Sequence, residues 1–304
     1  MNVSSLNDQD IQSCLEAVPP GMRSNSRRRG RDPQAFEETS IFELIENNVV
    51  GPSLKDRFRS VLDQLEKADP QLRDLLVMMS YVAQCRTPVS MDMLIAFLEA
   101  DPSSYKDIVA LVERLGGVIK EYAGSLVQYD QDYYVIRSTI IAEAVMRVVT
   151  DPVFAEVFRN FHHRVTHYHI PNYEVFRTRA YDHRLAARVF PDPAEGREFY
   201  EKLFVRDRRP YTLQHGALYL AKKKQYPEAF ELIDRAKNIE ARRNWTIYNS
   251  YAIILFRANI EHVNEPEAYA TLCESMRILV ECYKSDRRKE YVGVHADIRA
   301  CDLR

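Results

Sequence analysis

A mainly α-helical chain with one small β-ribbon is the fold class this sequence predicts, on three observations. Only nine of its 304 residues are Gly, and most of these fall where a helix or hairpin should end. So few favour long helices over sandwiches or Gly-rich phosphate loops. Apolar residues recur at three- and four-residue intervals in segment after segment, the period of a helix with one buried face. The exception is Tyr133-Tyr134-Val135-Ile136-Arg137-Ser138-Thr139-Ile140-Ile141-Ala142-Glu143, where strand-like alternation turns into helix period within three residues.

Composition bounds the rest. The length suits about two domains of about 150 residues each, and 46% hydrophobic with 28% charged residues is ordinary for a globular chain. A net charge of −2 gives no global attraction to nucleic acid or an anionic membrane. Cys14, Cys85, Cys273, Cys282 and Cys301 are odd in number and form no C-x-x-C pair, as expected of buried thiols in a reducing compartment. No apolar N-terminal stretch resembles a signal peptide, and no run approaches the roughly 18 apolar residues of a membrane helix. A cytoplasmic protein with no membrane partner is expected.

Residues 1–53 read as a linker and a helix. Arg23 to Arg31 holds five Arg in nine residues: a phosphate-binding arm or, with no aromatic interleaved to stack on bases, a solvated linker. Phe36 to Ile45 suggests a helix starting near Pro33 and ended by Gly51-Pro52.

Residues 54–150 form the next module. Ser53 caps a helix with Phe58, Val61, Leu62 and Leu65 on one face, and after Asp69-Pro70 the residues Leu72, Leu75, Leu76, Met79 and Val82 mark a strongly buried one. Pro88-Val89-Ser90 is a short extended link whose Ser90 caps a helix through Met93, Leu94, Phe97 and Leu98. A third helix carries Ile108, Leu111, Val112 and Leu115 and stops at Gly116-Gly117. Val118 to Tyr122, a turn at Gly124, and the Tyr-rich segment up to Ile136 make the ribbon. Three helices followed by a ribbon is the order of a winged-helix domain. Such domains usually read DNA with their third helix, but Lys106, Asp107, Glu113 and Arg114 sum to zero charge, and Asp130 and Asp132 would repel a phosphate backbone. Packing explains this module better, and nucleic acid is not an expected partner.

Residues 151–209 read as connecting helices. Phe154, Val157, Phe158 and Phe161 share a helix that runs into four of the eight histidines, between His162 and His169. His163 and His167 have the i, i+4 spacing of two metal ligands on a helix. Arg164, however, stands where a zincin has Glu, and no acidic third ligand lies close by. A helix end carrying partly exposed His satisfies the dipole equally well. Pro171, Pro191, Pro193 and Pro210 then break the chain into short helical runs.

Residues 210–304 contain a repeat. Tyr226-Pro227-Glu228-Ala229-Phe230 is echoed 39 residues later by Glu265-Pro266-Glu267-Ala268-Tyr269, each between two amphipathic helices. Ala217, Ala229 and Ala236 suit the close helix contacts of a hairpin, and the first unit resembles a tetratricopeptide repeat.

The order of helical piece, winged helix, connecting helix and repeat hairpins resembles the C-terminal half of a STAND-type signalling ATPase, a family acting in bacterial sensing and antiviral defence. Arg29-Gly30-Arg31 with Phe36-Glu37 is similar to the end of the ATPase lid, and Leu72 to Leu94 to the first winged-helix pair. Arg137 with Ile141-Ala142-Glu143 is similar to the close of such winged helices, where Ser138 replaces the family's histidine. No G-x-x-x-x-G-K-[ST] occurs in the chain, so it has no backbone cradle or Lys for nucleotide phosphates. It is therefore expected not to be an enzyme and to need no cofactor: either a fragment of a longer ATPase, or a relative without the motor.

The resemblance implies a regulatory module with Arg137, Ser138 and Glu143 at a latch on an ATPase core, in cis or in trans. Its helical repeats would bind a protein or peptide through Tyr219, Lys222, Lys223, Arg243, Trp245 and Tyr248, of which the three aromatics fit core positions as well. The alternative is a transcription regulator using the winged helix on DNA and the repeats for sensing.

Overall fold

The structure is a computed structural model and describes residues 54–124, 131–239 and 244–285. The Arg-rich segment 23–31, the helix expected from Pro33, the Phe36-Glu37 motif, Ser53, Asp130, Arg243, Cys14 and Cys301 lie outside the described residues. Thirteen α-helices and one three-stranded antiparallel sheet are described, in two compact units divided at Phe176 and Arg177. No helix among the described residues is long and apolar enough to cross a membrane.

The first unit runs α1 (Leu54–Ala68), α2 (Pro70–Gln84), β1 (Val89–Ser90), α3 (Met91–Leu98), α4 (Tyr105–Glu113), β2 (Ile119–Glu121), β3 (Tyr133–Ile136), α5 (Thr139–Val148) and α6 (Asp151–Arg164). Local chemistry sets its joints. Asp69 accepts from the Gln71 N–H at 3.1 Å with Pro70 at the first helical position, and Ser90 Oγ accepts from the Met93 N–H at 3.1 Å. Gly116 adopts a φ of 53°, the left-handed turn that glycine takes without strain, and sends the chain from α4 towards β2.

The expected extended link at Val89-Ser90 is in fact a strand. It pairs Val89 with Tyr134 and Ser90 with Tyr133, so β3 is central in the order β1-β3-β2. Two residues are too few for a period to show in sequence.

The core of this unit is organised around Tyr81. Helix α2 is buried from Leu75 to Val82 with no free face, and Tyr81 itself is fully buried. Its ring meets Phe154, Phe158, Phe161 and Phe176 edge-on at centroid distances of 6.1, 5.5, 5.6 and 6.0 Å, the geometry favoured by aromatic quadrupoles. Its hydroxyl reaches His162 Nε2 at 3.0 Å. Arg164 then ties the end of α6 to α3, donating to the Phe97 carbonyl at 3.0 Å and pairing with Glu99 at 2.7 Å.

The boundary between the units falls within α7 (Tyr173–Ala180). The second unit continues with α8 (His183–Val189), α9 (Pro193–Asp207), α10 (Pro210–Lys222), α11 (Tyr226–Ile239), α12 (Trp245–Asn259) and α13 (Pro266–Ser285). Helices α10 with α11 and α12 with α13 pair as hairpins, so both Pro-Glu-Ala echoes open the second helix of a hairpin. Pro193 and Pro210 prove to be first-turn residues that start α9 and α10, where a missing N–H costs nothing. As a result α9 is 15 residues long rather than a short run.

Helix α10 packs against α8, α9, α11 and α12 and is buried at nearly every position from Thr212 to Ala221. Gly196 lets α9 lie against Tyr219 of α10, because a Cβ there would overlap the Tyr219 ring. Salt bridges from Arg235 to Glu201 and, at 2.6 Å, from Arg197 to Glu231 fasten α9 to α11.

Two stability outcomes follow from these contacts. Tyr81→Ala should cost about 3–5 kcal/mol and Tyr81→Phe about 1 kcal/mol, the second isolating the hydroxyl. Gly196→Ala should destabilise the second unit despite the better helix propensity of Ala. Urea unfolding of the purified variants measures both, and a neutral Gly196→Ala would contradict the packing of α9 on Tyr219.

Candidate functional site

The expected binding set on the helical hairpins is largely spent on internal structure. Tyr219 is fully buried, and its hydroxyl donates to the carbonyls of Phe190 at 3.0 Å and Asp192 at 2.9 Å. It is a core residue and not a surface anchor. Lys223 Nζ donates to the Pro191 carbonyl at 3.3 Å and lies 5.8 Å from the Tyr219 ring centre. Trp245 and Tyr248 pack against the buried cluster of Ala252, Leu255, Ile278, Leu279 and Cys282, and Lys237 covers Tyr248 at 5.6 Å. Lys222 is exposed. The aromatics of amphipathic helices face the core because burying one ring removes far more apolar area from water than any single contact outside it.

The junction expected to act as a latch is held from both sides. The Arg137 N–H donates to the Val118 carbonyl at 2.8 Å, ending the sheet, while the Arg137 side chain is exposed. Ser138 Oγ accepts from the Ile140 N–H at 3.2 Å and caps α5. The serine therefore faces inward to the helix start, and Glu143 is half-buried one turn on.

Helix α4 shows its charge-balanced face. Lys106, Asp107, Glu113 and Arg114 are exposed, and Arg114 pairs with Asp69 at 2.8 Å. The Tyr105 hydroxyl donates to the Asp132 carboxylate beside the sheet, and that bond pushes the phenol up to about 12.

The His163–His167 pair does not form. Helix α6 ends at Arg164, Val165 is extended, and His167 falls in a separate 3-10 turn, His167–His169. The ring of His167 instead lies 3.8 Å from that of Tyr168. No Gly marks this helix end, so periodicity alone carried the expected helix too far.

Two other places gather polar chemistry. The first, in the first unit, is a cleft of about 330 Å³ lined by Ser90, Gln131, Tyr133 and the segment His167 to Glu174. Ser90 Oγ, already the cap of α3, donates to the His169 carbonyl at 2.7 Å and fixes the 3-10 turn at the rim. The Tyr133 hydroxyl is buried with no hydrogen-bond partner among the described residues, and Tyr168 stands 83% exposed. An aromatic-lined cleft with one orphan hydroxyl can take an apolar group carrying a hydrogen-bonding tip.

The second, in the second unit, is Asp182-His183 at the start of α8 with His215 of α10. Asp182 caps α8 by accepting from the Arg184 N–H at 2.7 Å, and the two imidazoles stack with centroids 5.9 Å apart. Burial pushes His183 down to about 4 against the pull of Asp182, with His215, Arg184 and Arg257 adding to the fall. Burial likewise lowers His215, again against Asp182. His183 and His215 are 32 positions apart in sequence, so only the fold brings them together.

Because both pKa values are depressed in the folded chain, the unfolded chain takes up protons first as pH falls. This contribution to stability is therefore intact above about pH 6.5 and is lost from there down towards pH 4. The slope should approach about 1.4 kcal/mol per pH unit for each histidine. Urea unfolding at about pH 7 and about pH 5 measures it, and His183→Gln should flatten the difference. No model of a known protein family matches the chain, and no curated protein or solved structure matches it either.

Proposed function

We propose that this chain is a regulatory and protein-interaction module of a STAND-type signalling ATPase, a winged helix followed by tetratricopeptide-like hairpins, in a sequence that holds no P-loop motif. The observation that carries the proposal is the junction at Arg137: an exposed cation whose backbone is pinned to Val118 while Ser138 caps the next helix. The backbone at such a residue needs no reordering to offer the guanidinium to an acidic or phosphate partner, and only the side chain must be ordered. The order of three helices around a small antiparallel sheet, then helical hairpins, supports the same reading.

Partner contact is assigned to the aromatic cleft rather than to the repeat aromatics, since Tyr219, Trp245 and Tyr248 are engaged internally. Tyr168 at the rim offers a large amphipathic ring, the kind of side chain that dominates interface energies. Charge balance on α4 and its tie to Asp132 make that helix a poor reader of DNA.

The test is ATP turnover by a STAND-type P-loop ATPase domain, with and without this chain. The chain should lower turnover, and Arg137→Ala or Tyr168→Ala should each relieve the effect by about tenfold in chain concentration, or about 1.4 kcal/mol. Turnover by the purified chain alone, or sequence-specific DNA retention surviving about 200 mM salt, would sink the proposal.

A further inference from the structure

We infer that Asp182, His183 and His215 form a binding site for one divalent first-row transition-metal ion, with zinc as the probe, joining the start of α8 to the middle of α10. The three residues offer ligand atoms that all lie within 4.8 Å of one another. Two imidazoles and one carboxylate are a donor set for zinc, iron or cobalt rather than for calcium or magnesium, which prefer all-oxygen sites. Tetrahedral zinc with bonds of about 2.0–2.2 Å holds its ligand atoms roughly 3.3 Å apart. Loading therefore asks the side chains to turn out of their stacked arrangement and close the gap between ligand atoms by about 1.5 Å.

A second observation points to a ligand independently of spacing. Nδ1 of His183 and Nδ1 of His215 are both buried with no hydrogen-bond partner among the described residues. Buried nitrogens in native proteins are rarely left unbonded, and a missing ion is one of the ordinary reasons. Metal ions bind imidazole through an unprotonated ring nitrogen, and each ring has one nitrogen without a hydrogen bond. Asp182 is already held in place by its bond to the Arg184 N–H, the outer support that a ligating carboxylate usually has. The positive charges of Arg184 and Arg257 act on His183 and oppose a cation there, which weakens its binding. Three protein donors leave a position for water. The inference owes nothing to the reading of the chain as an interaction module.

The experiment is zinc titration of the chelator-treated full chain by calorimetry, with cobalt absorption as a second readout. Wild type should take up one equivalent, rise in thermal midpoint, and give the intense visible bands of four- or five-coordinate cobalt. His183→Gln, His215→Gln and Asp182→Asn should each weaken binding at least about tenfold, and Asn keeps the helix cap. Metal-free thermal unfolding checks that each variant folds; if His215→Gln does not, the other two still decide. His163→Gln should bind as wild type. Absence of saturable binding below millimolar zinc, wild-type affinity in both His183→Gln and Asp182→Asn, or loss of binding in His163→Gln overturns the site.

Discussion

The first unit depends on burying one tyrosine without stranding its hydroxyl. Tyr81 lies in a helix buried all round, so its ring gains the full apolar and quadrupolar benefit of the phenylalanines around it. A phenol in such a place is costly unless its oxygen is bonded, and His162 supplies that bond. His162 sits on α6 beside Phe158 and Phe161, so satisfying one polar atom also fixes the rotation of α6. Once α6 is set, Arg164 reaches α3, and Ser90 holds the turn after α6. The cleft beside β1 is thus a consequence of how the core solves its polar problem.

The second unit repeats the solution with different partners. Tyr219 and Tyr200 are buried and donate to main-chain carbonyls, of Phe190 and Asp192 and of Tyr181 at 2.9 Å. Burial pushes both phenols up, to about 12 for Tyr219, which keeps them protonated donors. Gln214 does the same across hairpins, donating to Ser250 Oγ at 2.7 Å, and Ser275 donates to the Ala252 carbonyl at 2.7 Å. Each bond fixes one helix against the next, which dispersion alone does not specify.

Local signals made much of this legible in the sequence. The cap at Ser90, the Gly116 stop and the Pro-Glu-Ala echoes each act within one turn of the chain, where residue chemistry decides the backbone. Tyr219 was placed among binding residues because an aromatic on a helix reads the same whether its face meets a groove or another helix. Only the packing of α9, permitted at Gly196, shows which. The pairing of Val89-Ser90 with β3 escaped because two residues have no period. The approach of His183 to His215 escaped because tertiary contacts between short polar residues leave no sequence pattern.

Set beside these satisfied groups, the unsatisfied ones separate into solitary and convergent. Asn249 Oδ1 and Thr212 Oγ1 are buried without a partner, and a single missing bond is within the small deficit that native cores carry. His183 and His215 differ because their nitrogens approach each other and a carboxylate that is already fixed. A chain that provides a bonded partner for Tyr81, Tyr200 and Tyr219 has shown that its fold can satisfy buried polar atoms. Two unbonded imidazoles gathered beside one carboxylate are then better explained by a shared ligand than by a packing fault. The same reasoning applies with less force to Tyr133, a cleft-lining residue with a single buried orphan hydroxyl.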